Sequence, residues 1–166
     1  MAILIVFGGL PGTGKSTLAK AIAQERGAVY LRIDTIEQAL RDAAVLKGDV
    51  GAAGYQIGYA LAQSNLRLGR DVVADCVNPL KITRRAWRDA AAKAASNVVE
   101  IEVVCSDPAE HRHRIESRSV DVAGLKLPRW DEIHSSGYER WPEPHAVIDT
   151  ANRSVEDALR ALRDVL

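Results

Sequence analysis

Cysteine, net charge and long apolar runs are all scarce in this chain, and each scarcity excludes something. Cys76 and Cys105 are its two cysteines. Each stands beside a β-branched apolar run, so they read as small core residues in a reducing compartment and not as a disulfide. The 22 Lys and Arg residues balance 22 Asp and Glu, so no overall field draws the chain to nucleic acid or to an anionic membrane. Any anion site must be local. The apolar start from Ala2 to Phe7 has no basic residue before it, is too short for a signal segment and leads straight into glycines. No other stretch approaches the ~18 apolar residues of a membrane span. The expectation is a cytoplasmic protein with no membrane and no nucleic-acid partner. What is present, 47% apolar and 27% charged residues over 166 positions, is ordinary globular usage. The length suits one domain and allows a core without disulfides or structural metal.

Ile3-Leu4-Ile5-Val6-Phe7 has the length and residue types of a strand buried on both faces, as in parallel sheets. Beyond a glycine-rich turn, Leu18, Ala21 and Ile22 recur at helical spacing up to Arg26, and Gly27 is a stop signal. The unit then repeats. Val29 to Ile33 predicts a second strand, and Ile36, Ala39, Leu40, Ala43 and Ala44 a second helix. A helical stripe of Tyr55, Tyr59, Ala62 and Leu66 ends near Gly69, before a strand at Val72-Val73-Ala74 that closes on Asp75. Residues 84 to 95 predict another helix and Val98 to Cys105 a fourth strand, followed by an N-cap and first-turn proline at Asp107-Pro108. His145 to Asp149 predicts a fifth strand, and a last helix is capped by Ser154 with Asp157 three residues on. Strands alternating with helices predict a parallel sheet covered on both faces. Val120 to Pro144 breaks the pattern, and its Trp130, Trp141 and Tyr138 argue for a packed flap over something rather than disorder.

Gly9-Leu10-Pro11-Gly12-Thr13-Gly14-Lys15-Ser16 fits G-x-x-x-x-G-K-S/T, the P-loop pattern, and Thr17 adds a second hydroxyl. The setting matches too, because the segment follows a buried strand and opens a helix. Amides at a helix N-terminus converge on phosphate oxygens. Side chains at Gly12 or Gly14 would obstruct the backbone or the anion, Lys15 reaches the β- and γ-phosphates, and Ser16 is left for magnesium. Gly12, Thr13, Gly14, Lys15, Ser16 and Thr17 are thus the expected ATP-binding residues. A glycine turn that merely caps a helix explains the glycines but not the Lys15-Ser16 pair.

Asp34 follows the second strand, on the side of a parallel sheet where ligands bind. It can act as the base for an attacking hydroxyl or hold a magnesium-bound water. Asp34-Thr35-Ile36-Glu37 is equally a capping box for the next helix. Asp75 ends an apolar strand as a Walker B carboxylate does, reaching magnesium through water, and as a strand-end turn residue it would do neither. Asn78 and Tyr55 are candidate acceptor contacts, Tyr55 also a core candidate. Arg114 and Arg118 lie one helical turn apart and can face one ligand, where an arginine stabilises transferring phosphate or stacks on a purine. The competing reading is a solvated face paired to Glu110 and Glu116. His111 and His113, two apart on a helix, cannot share a metal and read as surface residues. Trp130 and Trp141 read as packing.

The P-loop, Asp34, the V-V-A-D-C-V-N-P segment and the R-x-x-x-R helix together resemble the small P-loop kinases: gluconate kinases, chloramphenicol phosphotransferase, zeta toxins and polynucleotide 5′-hydroxyl kinases. The resemblance covers nearly the whole chain, with specificity concentrated in the P-loop. It implies an α/β P-loop NTPase three-layer fold, a five-stranded parallel sheet of order 2-3-1-4-5 like the nucleoside monophosphate kinases, and a helical lid. One kinase domain over 1–166 is implied, with lid and flap about 107–144. The implied reaction is transfer of the γ-phosphate of ATP, with magnesium, to a hydroxyl of a small-molecule acceptor, by a monomer or homodimer. It implies Lys15, Asp34 and Arg118 as catalytic residues, Arg114 stacked on adenine with Arg112 a substitute for either lid arginine, and Ser16 and Asp75 toward the metal. Glu37 stands where the D-x-x-R pattern of polynucleotide kinases has arginine, and Ser119-Val120 where gluconate kinases have H-F. The other readings are an ATPase switch without an acceptor, and a kinase for polynucleotides or nucleotide-sugars.

Overall fold

The computed structural model describes residues 1–44, 48–135 and 137–166. Its centre is the apolar run read above, strand β1 (Ile3–Gly8), which leads through the glycine turn into helix α1 (Lys15–Arg26). Then come β2 (Val29–Arg32), α2 (Ile33–Asp42), α3 (Ala53–Arg67), β3 (Val72–Asp75), α4 (Lys81–Lys93) and β4 (Asn97–Val104). Helices α5 (Pro108–Ser117) and α6 (Trp130–His134), strand β5 (Ala146–Asp149) and helix α7 (Val155–Arg163) complete the order. The five strands form one parallel sheet, β2-β3-β1-β4-β5. This is the expected order.

The period-2 alternation of β1 divides the core into two layers. Ile5 and Phe7 face α1 and α7, packing with Leu18, Ile22, Leu159 and Leu162. Leu4 and Val6 face the opposite side, where Ala62 and Leu66 of α3 meet Trp87 of α4. Each fully buried aliphatic or Phe side chain of this kind contributes about 1.5–3 kcal/mol. Because β1 is covered on both faces, its carboxyl end and the loop that follows are held rigidly at the middle of the sheet.

Several boundaries differ from the sequence expectation. β2 stops at Arg32, and Ile33 already belongs to α2. The second helix ends at Asp42 rather than running through Ala43 and Ala44. α4 begins at Lys81, three residues before the alanine-rich stretch, because Leu80 is extended and turns the chain directly after Pro79. The flap is packed, as its aromatics suggested, but it also contains the one-turn helix α6.

What packs the flap is a buried arginine with no sequence signal. Arg84 is 0% exposed. Its Nη1 donates to the carbonyls of Asn78 at 3.1 Å and Glu139 at 3.3 Å, and its Nη2 to that of Arg140 at 3.1 Å. Its guanidinium carbon lies 4.9 Å from the centre of the Trp141 ring. Trp141 in turn covers Gly8, where a Cβ would come within 2.4 Å of the indole, so the flap is seated on the start of the phosphate loop. Arg84→Met keeps most of the volume but orphans three carbonyls. It should cost about 3 kcal/mol of stability, read as a lowered urea midpoint.

Candidate functional site

The loop after β1 has the backbone that its glycines permit. Gly9, Gly12 and Gly14 all have positive φ, at 135°, 82° and 91°. At Gly12 a side chain would also strike α5, since a Cβ would lie 2.4 Å from Ile115 Cδ1. Gly12→Ala is therefore expected to displace α5 or the loop and to abolish nucleotide binding, measured by calorimetry. Gly14 is the N-cap of α1 and no side chain caps that terminus, so the first-turn amides and the positive end of the helix face the cleft. Lys15 is 7% exposed, and its Nζ rests against the Leu10 carbonyl at 3.4 Å. Nearby, the Thr13 hydroxyl donates to the same carbonyl at 3.0 Å and is buried.

This terminus opens onto a cleft of about 600 Å³. Its lining includes Gly12, Gly14, Lys15, Ser16, Thr17 and Arg114 together with Arg32, Asp34, Val77, Arg118, Asp121 and the segment Leu125 to Pro128. Lys15, Asp34, Arg114 and Arg118 therefore meet in one cavity, although they come from α1, α2 and the two ends of the last turn of α5. A second hollow behind Gly12 and Gly14 is bounded by Arg114, Thr150 and Arg153.

Arg32, which the sequence reading did not single out, organises the carboxylates. Its side chain is only 10% exposed and contacts three acids. Nη2 is 3.4 Å from Asp34, Nε is 3.8 Å from Asp75, and Nη2 lies 3.1 Å from Asp121. Burial works against this charge, but the three carboxylates hold the guanidinium protonated and push its pKa up. Arg32 pairs in register with Asp75 across β2 and β3, which is why the two meet. Alternation patterns reveal strands but not which strand end lies beside which, so the sequence held no signal for this.

Asp34 sits in the first turn of α2, whose N-cap is Arg32 with no side-chain cap bond. The capping-box reading of Asp34 and Glu37 is therefore not realised, and the Asp34 carboxylate faces the cleft instead. Asp75 is 1% exposed and accepts the Tyr30 hydroxyl at 2.6 Å. Burial and that carboxylate push the Tyr30 phenol well above its usual range. Tyr55 and Asn78 do come together, with the Asn78 amide donating to the Tyr55 hydroxyl at 2.9 Å. Asn78 is fully buried, and neither residue lines the cleft, where Val77 is the representative of that loop.

Helix α5 divides its residues by face. Arg114 is fixed through Nη1 to the Thr150 hydroxyl at 2.8 Å and Nη2 to the Thr150 carbonyl at 2.9 Å, and it also pairs with Glu110. Thr150 donates to the Thr13 carbonyl at 2.8 Å, which ties Arg114 to the phosphate loop. Arg112 pairs with Glu116 on the outer surface, away from the cleft. His111 corrects an expectation. Rather than a surface residue it is 5% exposed, donates through Nε2 to the Pro11 carbonyl at 2.8 Å and stacks edge-on against Trp130. The 3.6-residue repeat places it on the same face as Ile115, toward the loop. Both cysteines are free, as expected.

Beyond α5 the chain crosses back over the cleft. Asp121 is held by Arg32 and by Lys20 of α1 at 3.2 Å. The hydrogen bond from Arg32 lowers its pKa to about 2. A depressed carboxylate stabilises at pH values above its unfolded pKa near 4 and loses that contribution as pH falls through the folded value. The strap should accordingly stay attached throughout the neutral range and detach between about pH 4 and 2, visible as increased proteolysis after Val120 to Lys126.

These features define a P-loop kinase-like fold with the phosphate loop, the first-turn acid Asp34 and two arginines lining one cavity. The chain belongs to the AAA_33 family, an AAA domain, whose model matches residues 4–136. It is 34% identical over 181 aligned residues to the uncharacterized protein Rv2004c of Mycobacterium tuberculosis (strain ATCC 25618 / H37Rv), an alignment covering 98% of this chain and 35% of that protein. The chain thus spans about a third of the length of the curated relatives it matches. Among solved structures it resembles a sugar kinase from Janibacter sp. HTCC2649, at a TM-score of 0.71 and 16% identity over 99% of this chain and 96% of that one. It also resembles Kti12 from Chaetomium thermophilum in complex with ADP-AlF3, at a TM-score of 0.70 and 19% identity over 98% of each chain. No helix among the described residues is long and apolar enough to cross a membrane.

Proposed function

We propose that this chain is a P-loop phosphotransferase, a single kinase domain with its lid and flap at about 107–144, that moves the γ-phosphate of ATP to a hydroxyl of a small-molecule acceptor in the cytoplasm. One observation carries the reading: an uncapped helix N-terminus with a buried lysine opens onto the same cleft as Asp34. A triphosphate fits the cleft at this terminus, where amide dipoles and Lys15 supply the countercharge. Arg114 flanks it on the side of Thr150 and Arg153, where the second hollow suits a purine.

In the step itself, the acceptor oxygen forms a bond to the γ-phosphorus as the bond from that phosphorus to the β–γ bridging oxygen breaks, and ADP departs. Asp34 takes the hydroxyl proton. Lys15 stays on the β- and γ-oxygens throughout and offsets charge that builds toward the leaving side. Magnesium keeps its waters and arrives on phosphate with few protein ligands. Ser16 would contribute one of them, and Asp75 would act through water. Magnesium supplies countercharge to the phosphate oxygens.

The test is transfer from γ-labelled ATP across a panel of hydroxylated metabolites. A labelled product that depends on acceptor supports the reading. Hydrolysis alone across a broad panel would favour a nucleotide-dependent switch, and label on polynucleotide ends or nucleotide-sugars would move the acceptor to those classes.

A further inference from the structure

Arg118 closes α5 as its C-cap residue, and its Nε and Nη2 are buried with no hydrogen-bond partner among the described residues. A guanidinium carries five donors and keeps its proton, so burying it unpaired is costly unless a ligand completes it. The charged groups that act on it are Asp34, Asp121 and Arg32. Both of these carboxylates are already engaged by Arg32. Arg114, one turn earlier, is engaged by Thr150 and Glu110 beside Gly14. The two arginines therefore have different surroundings, Arg114 beside Gly14 and Thr150 and Arg118 among Asp34, Asp121 and Arg32. The cleft that Arg118 lines also carries Val77, Leu125, Leu127 and Pro128, with Ser117 and Ser119.

We propose that the acceptor is a small hydroxyl compound that also bears an anionic group, a carboxylate or a phosphate, and that Arg118, a lining residue of the cleft, turns its guanidinium onto this group. The proposal rests on the phosphotransferase reading and names the substrate class of the same site. Nε and one Nη form the two-pronged edge that accepts two oxygens of a carboxylate or phosphate at once. Charge also sets the direction in which such a compound enters. Its anion is drawn to Arg118 and repelled by Asp34, so the hydroxyl end is left to meet Asp34. Arg118 thus acts as a specificity residue for the acceptor, in contrast to the expectation that it approaches the transferring phosphate.

The test uses the full chain with its nucleotide site filled by magnesium and a non-hydrolysable ATP analogue. Calorimetry then compares matched probes: glycerol, glycerate and glycerol 3-phosphate; glucose, gluconate and glucose 6-phosphate; and inorganic phosphate alone. Anionic members should bind at least about 10-fold more tightly than their neutral partners. Preference for glycerate and gluconate would identify a carboxylate, and preference for the phosphorylated pair a phosphate. Arg118→Gln should weaken the anionic members roughly 10- to 100-fold while changing affinity for the analogue less than about twofold. Arg118→Lys keeps the charge without the fork and should recover part of the loss. Equal binding of neutral and anionic members, no anion-dependent binding anywhere in the panel, or a loss in Arg118→Gln that falls on the analogue instead would each overturn the proposal. Failure of the wild-type chain to bind the analogue would instead overturn the phosphotransferase reading beneath it.

Discussion

Lys15→Ala should lower phosphoryl transfer about a thousandfold while leaving the fold intact, a combination that separates a phosphate-binding lysine from a structural one. Removal of a preorganised donor aimed at developing charge typically costs 10²–10³ in rate, on the order of 3–4 kcal/mol. Lys15 also supplies ground-state attraction for the triphosphate, so magnesium-nucleotide affinity should fall with the rate. The stability side follows from its contacts. Although Lys15 is 7% exposed, among the described residues its ammonium group makes one hydrogen bond, the long 3.4 Å contact to Leu10. An ammonium this poorly satisfied in the free protein contributes little to folding and costs desolvation. Thermal unfolding without nucleotide should therefore shift upward or stay unchanged, whereas the stabilisation by magnesium-nucleotide seen for the parent chain should disappear. An unfolded or strongly destabilised variant would mean that Lys15 holds the loop together rather than binding phosphate.

The sheet was legible because its signals are local. An apolar pentapeptide, a glycine turn with Lys15-Ser16 and a helical stripe each carry their structure within about a dozen residues, and the alternation of strand and helix predicted the parallel sheet. The order of its strands came from the kinase resemblance. The site was legible only where its residues belong to such local patterns. Lys15 lies in the phosphate loop, Asp34 just past the second strand, and Arg114 and Arg118 on one helix, whereas Asp75, read from its strand end, is buried and is not among the cleft-lining residues. The residues missed are those whose environment is made by distant chain. Arg32 pairs with Asp75, 43 positions later, and with Asp121, 89 positions away. Arg84 looks like a surface residue in an alanine-rich helix until the flap, 55 residues on, folds over it. His111 was assigned to the surface once its spacing from His113 excluded a shared metal, while the helix turns it onto Pro11. In each case a polar group in an apolar or crowded setting is satisfied by long-range partners, which periodicity does not encode.

Asp34→Asn should separate chemistry from binding in the opposite sense to Lys15→Ala. Asparagine is nearly isosteric and keeps an acceptor oxygen but cannot take up a proton, so loss of a general base predicts a fall in kcat of about 10²–10⁴. Affinity for magnesium-nucleotide should be retained, since the countercharge for the triphosphate comes from the α1 amides and Lys15 and not from a carboxylate. Stability should change little, because the side chain caps no helix and its ion pair to Arg32 at 3.4 Å is part of a network in which Asp121 and Asp75 remain. Arg32 retains those two partners in the variant, so its buried charge is not left uncompensated. Acceptor binding should not weaken, because the variant removes a negative charge from a site that the anionic acceptor must approach. A large fall in transfer with nucleotide and acceptor affinities intact would leave Asp34 as the group that receives the proton. An unchanged kcat would remove it from that role, and one carboxylate at the end of the neighbouring strand, Asp75, would remain as a candidate, though it is 1% exposed and bonded to Tyr30. Parallel assays of Asp75→Asn decide between them. If Asp75 acts through magnesium-bound water, its replacement should raise the magnesium concentration needed for half-maximal rate, whereas replacement of Asp34 should leave that concentration where it was.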